Sequence, residues 1–274
     1  MKSFHHKLTL KDCFKRSVLV VTLLVCFAAQ GQTEESIKEK GRAIAFKAEE
    51  IFDHYGDMTV DVVMHLKKPN QDVISRKMIM KILQTDEDTD KVIMQFLSPA
   101  DVKGLAFLMS THKDKFDDFW IYIPDLRRVK RISSQTKGSE FMGSEFQTED
   151  LIRAEPDKYS YKWLEDKPCG ELECHLVDRY PKEKSSIYSR QVIWVDKDHF
   201  RFQQIDSYDK SGNLVKTLEY YNYTLHKGKF WRWGEHKLTD HRTGEITRSE
   251  FKNWKFNIGL KKNEFTANGL KNIR

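Results

Sequence analysis
The chain has 274 residues, 39% of them hydrophobic and 32% charged, with 17 Phe, 10 Tyr and 6 Trp. This excludes a disordered chain and suits one large domain with a real core. The formal charge is +6, but residues 1–29 hold five cations and one anion; without them 42 cations face 40 anions, a balance that supports neither nucleic-acid binding nor strong adhesion to an anionic membrane.

Residues 1–16 are a basic lead, residues 18–29 (VLVVTLLVCFAA) an apolar run, and QGQTEES is polar. The run is shorter than the roughly 20 residues a membrane span needs, so the order reads as a secretory signal peptide over residues 1–30, cut near residues 28–31. An uncleaved anchor is the alternative, and the long lead favours it; lipidation at Cys26 is disfavoured by Val25 before it. Cys13 and Cys26 fall in this segment, which leaves Cys169 and Cys174 in PCGELECHL. In an oxidising compartment these two form a disulfide around a short turn or stay free, depending on geometry. With only His175 beside them they fall short of a zinc set.

SIKEKGRAIAFKAEEIFDHYG, residues 36–56, reads as a helix: Ile37, Ile44, Ala45, Ala48, Ile51, Phe52 and Tyr55 recur at helical spacing, Gly41 weakens it and Gly56 stops it. From residue 58 the period becomes two. Met58, Val60, Val62, Met64 and Leu66 share one face, then Met78, Met80 and Ile82, then Val92, Met94 and Phe96, and later Trp120 and Tyr122 before Pro124. The second half continues with YSYKWL, HLVDRY, YSRQVIWVD, RFQQIDSYD, LVKTLEYYNY, KFWRWGEHKLT and EITRSEF, separated by turn signals such as DKSGN and DHRTG. The expectation is a mainly β meander of about ten to eleven antiparallel strands with one amphipathic helix, as a curved open barrel or a sandwich; residues 31–274 form a single domain. The methionines Met58, Met64, Met78, Met80, Met94, Met109 and Met142 either pack a plain core or suit a variable apolar ligand.

Catalytic motifs are missing: there is no Gly-x-Ser-x-Gly, no His-Glu-x-x-His and no phosphate-binding loop. The histidines are scattered, so no metal or cofactor is expected. In RRVKRISSQTKGSEFMGSEF, residues 127–146, Arg127, Arg128, Lys130 and Arg131 could meet phosphates and Phe141 and Phe146 could stack on bases. Asp125, Glu140, Glu145, Glu149 and Asp150 crowd the same stretch, so an internal ion-pair network on a charged edge or rim is the better account.

The stretch FWIYIPDLRRVKRISSQTKGSEFMGSEFQTEDL resembles the outer-membrane lipoprotein-sorting proteins of Gram-negative bacteria, in the branch related to the carrier LolA and its receptor LolB. Trp120, Tyr122 and Pro124 match an aromatic strand ending in Tyr-x-Pro. Leu126, Arg127, Arg128, Arg131 and Ile132 match a basic segment, and Phe141, Met142, Gly143, Ser144 and Phe146 match a Phe-Met-Gly-Ser-Asp-Phe loop. Glu145 stands where that family has Asp, and Gln147 and Thr148 replace a small-plus-aromatic pair. The resemblance implies a half-open, strongly curved antiparallel barrel with helices on its concave side, a periplasmic location, lipid or lipoprotein acyl chains as cargo, and no enzymatic activity. It also implies, as an alternative, an accessory role beside inner-membrane transporters of the resistance–nodulation–division type. The residues expected to line a cavity are Met80, Met94, Trp120, Tyr122 and Trp194. Arg127, Arg128 and Arg131 are expected to pair with Glu145 and Asp150, or to face an anionic headgroup or partner.

Overall fold
The computed structural model describes residues 34–85, 90–112, 117–132 and 137–273; the signal segment expected over residues 1–30 lies outside them. Residues 34–50 form helix α1. Its buried positions, Ile44, Ala45 and Ala48, recur at helical spacing and extend to Phe52 just beyond it. Gly41 is buried on the same side: a Cβ there would come within 2.5 Å of the Trp163 backbone nitrogen. Its role is close approach of helix to strand, at the expense of helix propensity.

Among the described residues, thirteen strands form one open antiparallel sheet. The first half supplies β1 (Asp57–Lys67), β2 (Ile74–Gln84), β3 (Asp90–Ser98), β4 (Ala106–Ser110), β5 (Asp118–Ile123) and β6 (Arg128–Ile132). The second supplies β7 (Tyr159–Cys169), β8 (Leu172–Pro181), β9 (Arg190–Asp196), β10 (Phe202–Tyr208) and β11 (Leu214–Tyr221). After a small hairpin, β12 (Thr224–His226) and β13 (Phe230–Arg232), come β14 (Glu235–Asp240) and β15 (Ile246–Phe256). The order is β6-β5-β4-β3-β2-β1-β15-β14-β11-β10-β9-β8-β7. Two meanders are therefore stitched together where the last strand pairs with the first, Val62 opposite Phe251. The stretch 229–239, expected as one strand, is two, because Gly234 breaks it and the first piece pairs with β12.

The two faces are covered differently. On the inner face, α1 packs Ile44, Ala45, Ala48 and Phe52 against Tyr161, Val177, Ile193, Val195, Phe202 and Ile205. Residues 137–152, between edge strands β6 and β7 in the chain, cover the other half, packing Phe141 and Phe146 with Val62, Met78, Met94 and Phe96. The outer face of β3 and β4 is buried too: Ile93, Ala106 and Leu108 meet Phe265 and Leu270 from the C-terminal stretch, which ends in the short helix α2 (Ala267–Leu270). Cys169 and Cys174 are disulfide-bonded across the β7–β8 hairpin, Cα atoms 5.8 Å apart.

Candidate functional site
FMGSEF builds one wall of the site. Met142 and Gly143 have φ of 56° and 66°, and the Ser144 N–H donates to the Phe141 carbonyl at 3.0 Å. Two successive positive φ values with that bond make a type I′ turn, which glycine adopts without strain. The turn is closed further by the Phe141 N–H donating to the Phe146 carbonyl at 2.7 Å. It aims both rings inward: Phe141 lies 5.0 Å from Phe107 and 6.0 Å from Phe96, and Phe146 lies 5.1 Å from the His236 ring.

Polar contacts then tie this segment across the sheet. The Arg76 guanidinium donates to the Met142 carbonyl, and the Glu145 N–H donates to Thr247 Oγ1 at 3.0 Å. Asp150 accepts from Lys216 Nζ at 2.7 Å, Tyr188 Oη at 2.6 Å and the Gln147 N–H at 2.8 Å. Lys216 is 1% exposed, so this is a buried ion pair with its hydrogen bonds made. Glu149 accepts from Ser186 Oγ at 2.6 Å and the Ile187 N–H at 2.7 Å.

Between the helix, this segment and the sheet lies a cavity of about 310 Å³, within the range of small-molecule sites. Its wall is largely apolar: six methionines, Met58, Met64, Met78, Met80, Met94 and Met109, with Val62, Ile82, Phe141, Phe146 and Leu218. Methionine is flexible and polarizable, so such a wall adapts to ligand shape. One end is charged. Arg153 donates to Asp53 at 2.6 Å, to the Glu49 carboxylate at 3.3 Å and to the Glu49 carbonyl at 3.0 Å, with Asp90 at 3.7 Å. Arg179 lies 3.9 Å from Glu49 and donates to Gln191 at 2.9 Å, while Tyr55 Oη donates to Asp90 at 2.8 Å. Burial pushes Glu49 above the usual carboxylate range, outweighing the attraction of Arg153 and Arg179, and it raises Asp90 in the same way. At Asp53 burial also raises the pKa, but the hydrogen bond and charge of Arg153 win and hold the group low. The charges are thus spent on one another, and the cavity offers an apolar body with a self-neutralised end. Among the described residues no group of three or more His, Cys, Asp or Glu could hold a metal ion, and no helix is long and apolar enough to cross a membrane.

Of the residues expected to line the cavity, Met80 and Met94 do. Trp120 and Tyr122 do not: Phe119 takes the inner face of β5, so its neighbours alternate outward, opposite Leu108 and Ala106, and pack toward Phe265 and Leu270. Trp194 is also on the outside, with Cys174, Leu176 and Val192, donating to Asp206 at 3.1 Å. The expected basic-to-acidic pairing within residues 127–150 is replaced by other partners. Arg131 sits opposite Trp120 on the edge strand and pairs with Asp118. Asp150 instead pairs with Lys216, and Glu145 lies beside Glu245, which Lys68 meets at 3.1 Å. Arg127 and Arg128 are exposed and meet no carboxylate among the described residues. The physical reason is that β6 stays at the sheet edge while residues 137–151 cross to β11 and β15. Sequence reasoning missed the charged end; its one signal was Glu49 beside Ala45, Ala48 and Phe52 on the buried stripe of α1.

A family model described as uncharacterized protein-like matches residues 88–272. No curated protein matches the chain significantly. Among solved structures, the chain is similar to an outer membrane lipoprotein-sorting protein domain from Vibrio parahaemolyticus, 39% identical over 85% of this chain and 99% of that one, TM-score 0.82. It is also similar to a DUF1329 family protein from Desulfovibrio piger, 28% identical over 85% and 99%, TM-score 0.81. A LolA superfamily protein from Nitrosomonas europaea, 21% identical over 82% and 97% with TM-score 0.66, is alike in fold. With 39% identity over nearly the whole of that relative, together with the Leu-Arg-Arg and Phe-Met-Gly-Ser segments, the chain belongs to the outer-membrane lipoprotein-sorting protein family.

Proposed function
We propose that the protein is a non-enzymatic periplasmic carrier that holds acyl chains of a lipid or lipoprotein in the methionine-lined cavity. The observation that carries this reading is the cavity itself, apolar over most of its wall and capped by a segment tied down through polar contacts. Burying about ten methylenes at ~0.8 kcal/mol each is worth about 8 kcal/mol, on the order of a micromolar Kd before ordering costs. The half-open, strongly curved form of the barrel is part of the proposal. What supports it is that the lining residues come from eleven strands, β4 round to β7; laid flat, those strands would spread over roughly 48 Å. The basic lead and apolar run before residue 30 support export to the periplasm, and residues 31–274 act as one domain in this reading.

The test is native mass spectrometry of the protein purified from its own envelope, with extraction of bound lipid, alongside uptake of labelled acyl ligands. Co-purifying lipid and saturable uptake are expected. Absence of both overturns the carrier and leaves the accessory role beside a resistance–nodulation–division transporter.

A further inference from the structure
The apolar wall contains a second polar locus, distinct from the Glu49–Arg153 end. Ser249 on β15 is 1% exposed, and its hydroxyl has no hydrogen-bond partner; the Trp233 indole N–H is likewise buried and unpartnered. Both residues line the cavity. His236 is the cross-strand neighbour of Ser249 and lines the same wall. Burial alone pushes its imidazole down to about 3, so the ring is neutral, and no described residue hydrogen-bonds it. Tyr220 completes the group: its ring lies 5.2 Å from Trp233 and 6.3 Å from His236 by centroids, and its hydroxyl has no hydrogen-bond partner among the described residues. Buried polar groups are nearly always satisfied, and leaving one unpaired costs free energy. Two such groups, the Ser249 hydroxyl and the Trp233 N–H, beside the unpartnered His236 and Tyr220 on one wall of one cavity, make a site, and their chemistry says for what.

Trp233 can only donate, neutral His236 offers one donor, and Ser249 and Tyr220 can each donate. None is charged. The nearby cations do not serve this locus, since Arg153 is engaged by Asp53 and Glu49, and Arg179 by Gln191 and Glu49. The complement of an uncharged cluster rich in donors is an uncharged acceptor flanked by hydrocarbon. We infer that Trp233, Ser249, His236 and Tyr220 form a subsite for the carbonyl of an acyl linkage, the ester or amide that joins a fatty chain to its head. This rests on the carrier reading above and deepens it: the cavity recognises acylated molecules by their linkage as well as by their chain.

Two probes matched in chain and headgroup test it by calorimetric titration of the unmodified protein: an ester-linked lysophospholipid and its ether-linked counterpart, which lacks the carbonyl. The ester is expected to bind about tenfold more tightly. Ser249→Ala and Tyr220→Phe should each shrink that preference to below about threefold, weakening the ester more than the ether. Equal affinity of the two probes for the unmodified protein overturns the subsite and leaves the carrier standing. Equal weakening of both probes by both variants also overturns it, since that is what a purely packing role produces. Failure of both probes to bind overturns the carrier reading itself. An amide-linked probe behaving like the ester would show that the carbonyl is the feature recognised; an amide that binds like the ether would overturn that.

Discussion
Replacing Lys216 by methionine removes the cation that holds the crossing segment to β11 while nearly preserving side-chain length. Lys216 Nζ lies 2.7 Å from Asp150 and 2.9 Å from Gln147 Oε1, and the residue is 1% exposed. Without it the Asp150 carboxylate stays buried as a lone charge, kept only by Tyr188 Oη at 2.6 Å and the Gln147 N–H at 2.8 Å. Breaking a buried pair by removing one partner costs about 3–5 kcal/mol. The two surviving donors to Asp150 place the expected loss near the lower end, about 3 kcal/mol, over a hundredfold in the folded-to-unfolded ratio. Urea denaturation measures the loss, and hydrogen exchange across residues 137–152 should rise ahead of the sheet. Adding Asp150→Asn to Lys216→Met should recover part of the loss, because the unpaired charge is gone. A loss under about 1 kcal/mol, no recovery in the double variant and unchanged exchange in the segment would refute the reasoning.

Met80→Trp should fill cavity space and weaken acyl uptake at least about tenfold, read by labelled-ligand titration, without a large loss of stability. Arg127→Glu with Arg128→Glu should leave stability within about 0.5 kcal/mol by denaturation, since both are exposed and meet no carboxylate among the described residues. Gly41→Ala should destabilise the protein despite alanine's better helix propensity, because the new methyl group meets the Trp163 backbone nitrogen at 2.5 Å; a rise in Tm would contradict the close-approach account. Burial, with Glu245 beside it, pushes Glu145 up to about 7 from 4.5. Between those values the folded state holds more protons than the unfolded one, so the stability from this group is full below about 4.5 and is lost as pH rises through about 7. Glu145→Gln should flatten that slope in denaturation measured from pH 4.5 to 8.

Much of the fold was legible because strand and helix periods are written locally. The alternation Met58, Val60, Val62, Met64, Leu66 is the buried face of β1, and the stripe Ile44, Ala45, Ala48, Phe52 is the face of α1 that packs. The FMGSEF stretch could be matched to the family motif, and its Gly143 suits the positive φ that the turn requires. The site was only half legible. Met80 and Met94 lie on the inner face, but Trp120, Tyr122 and Trp194 alternate outward. Nothing in their own strands distinguishes the two sides, since both are apolar.

The sequence by itself determined the β-rich class, the helical stripe, the methionine supply and the diagnostic loop, because these depend on residues within a few positions of one another. Only the tertiary structure decided which face became the interior, since the C-terminal stretch around Phe265 and Leu270 buries the other side of β3 and β4. It also decided the partners of the charges. Asp150 meets Lys216 from 66 positions away and Arg153 meets Glu49 from 104, because a sheet whose last strand pairs with its first brings together groups that no local spacing relates.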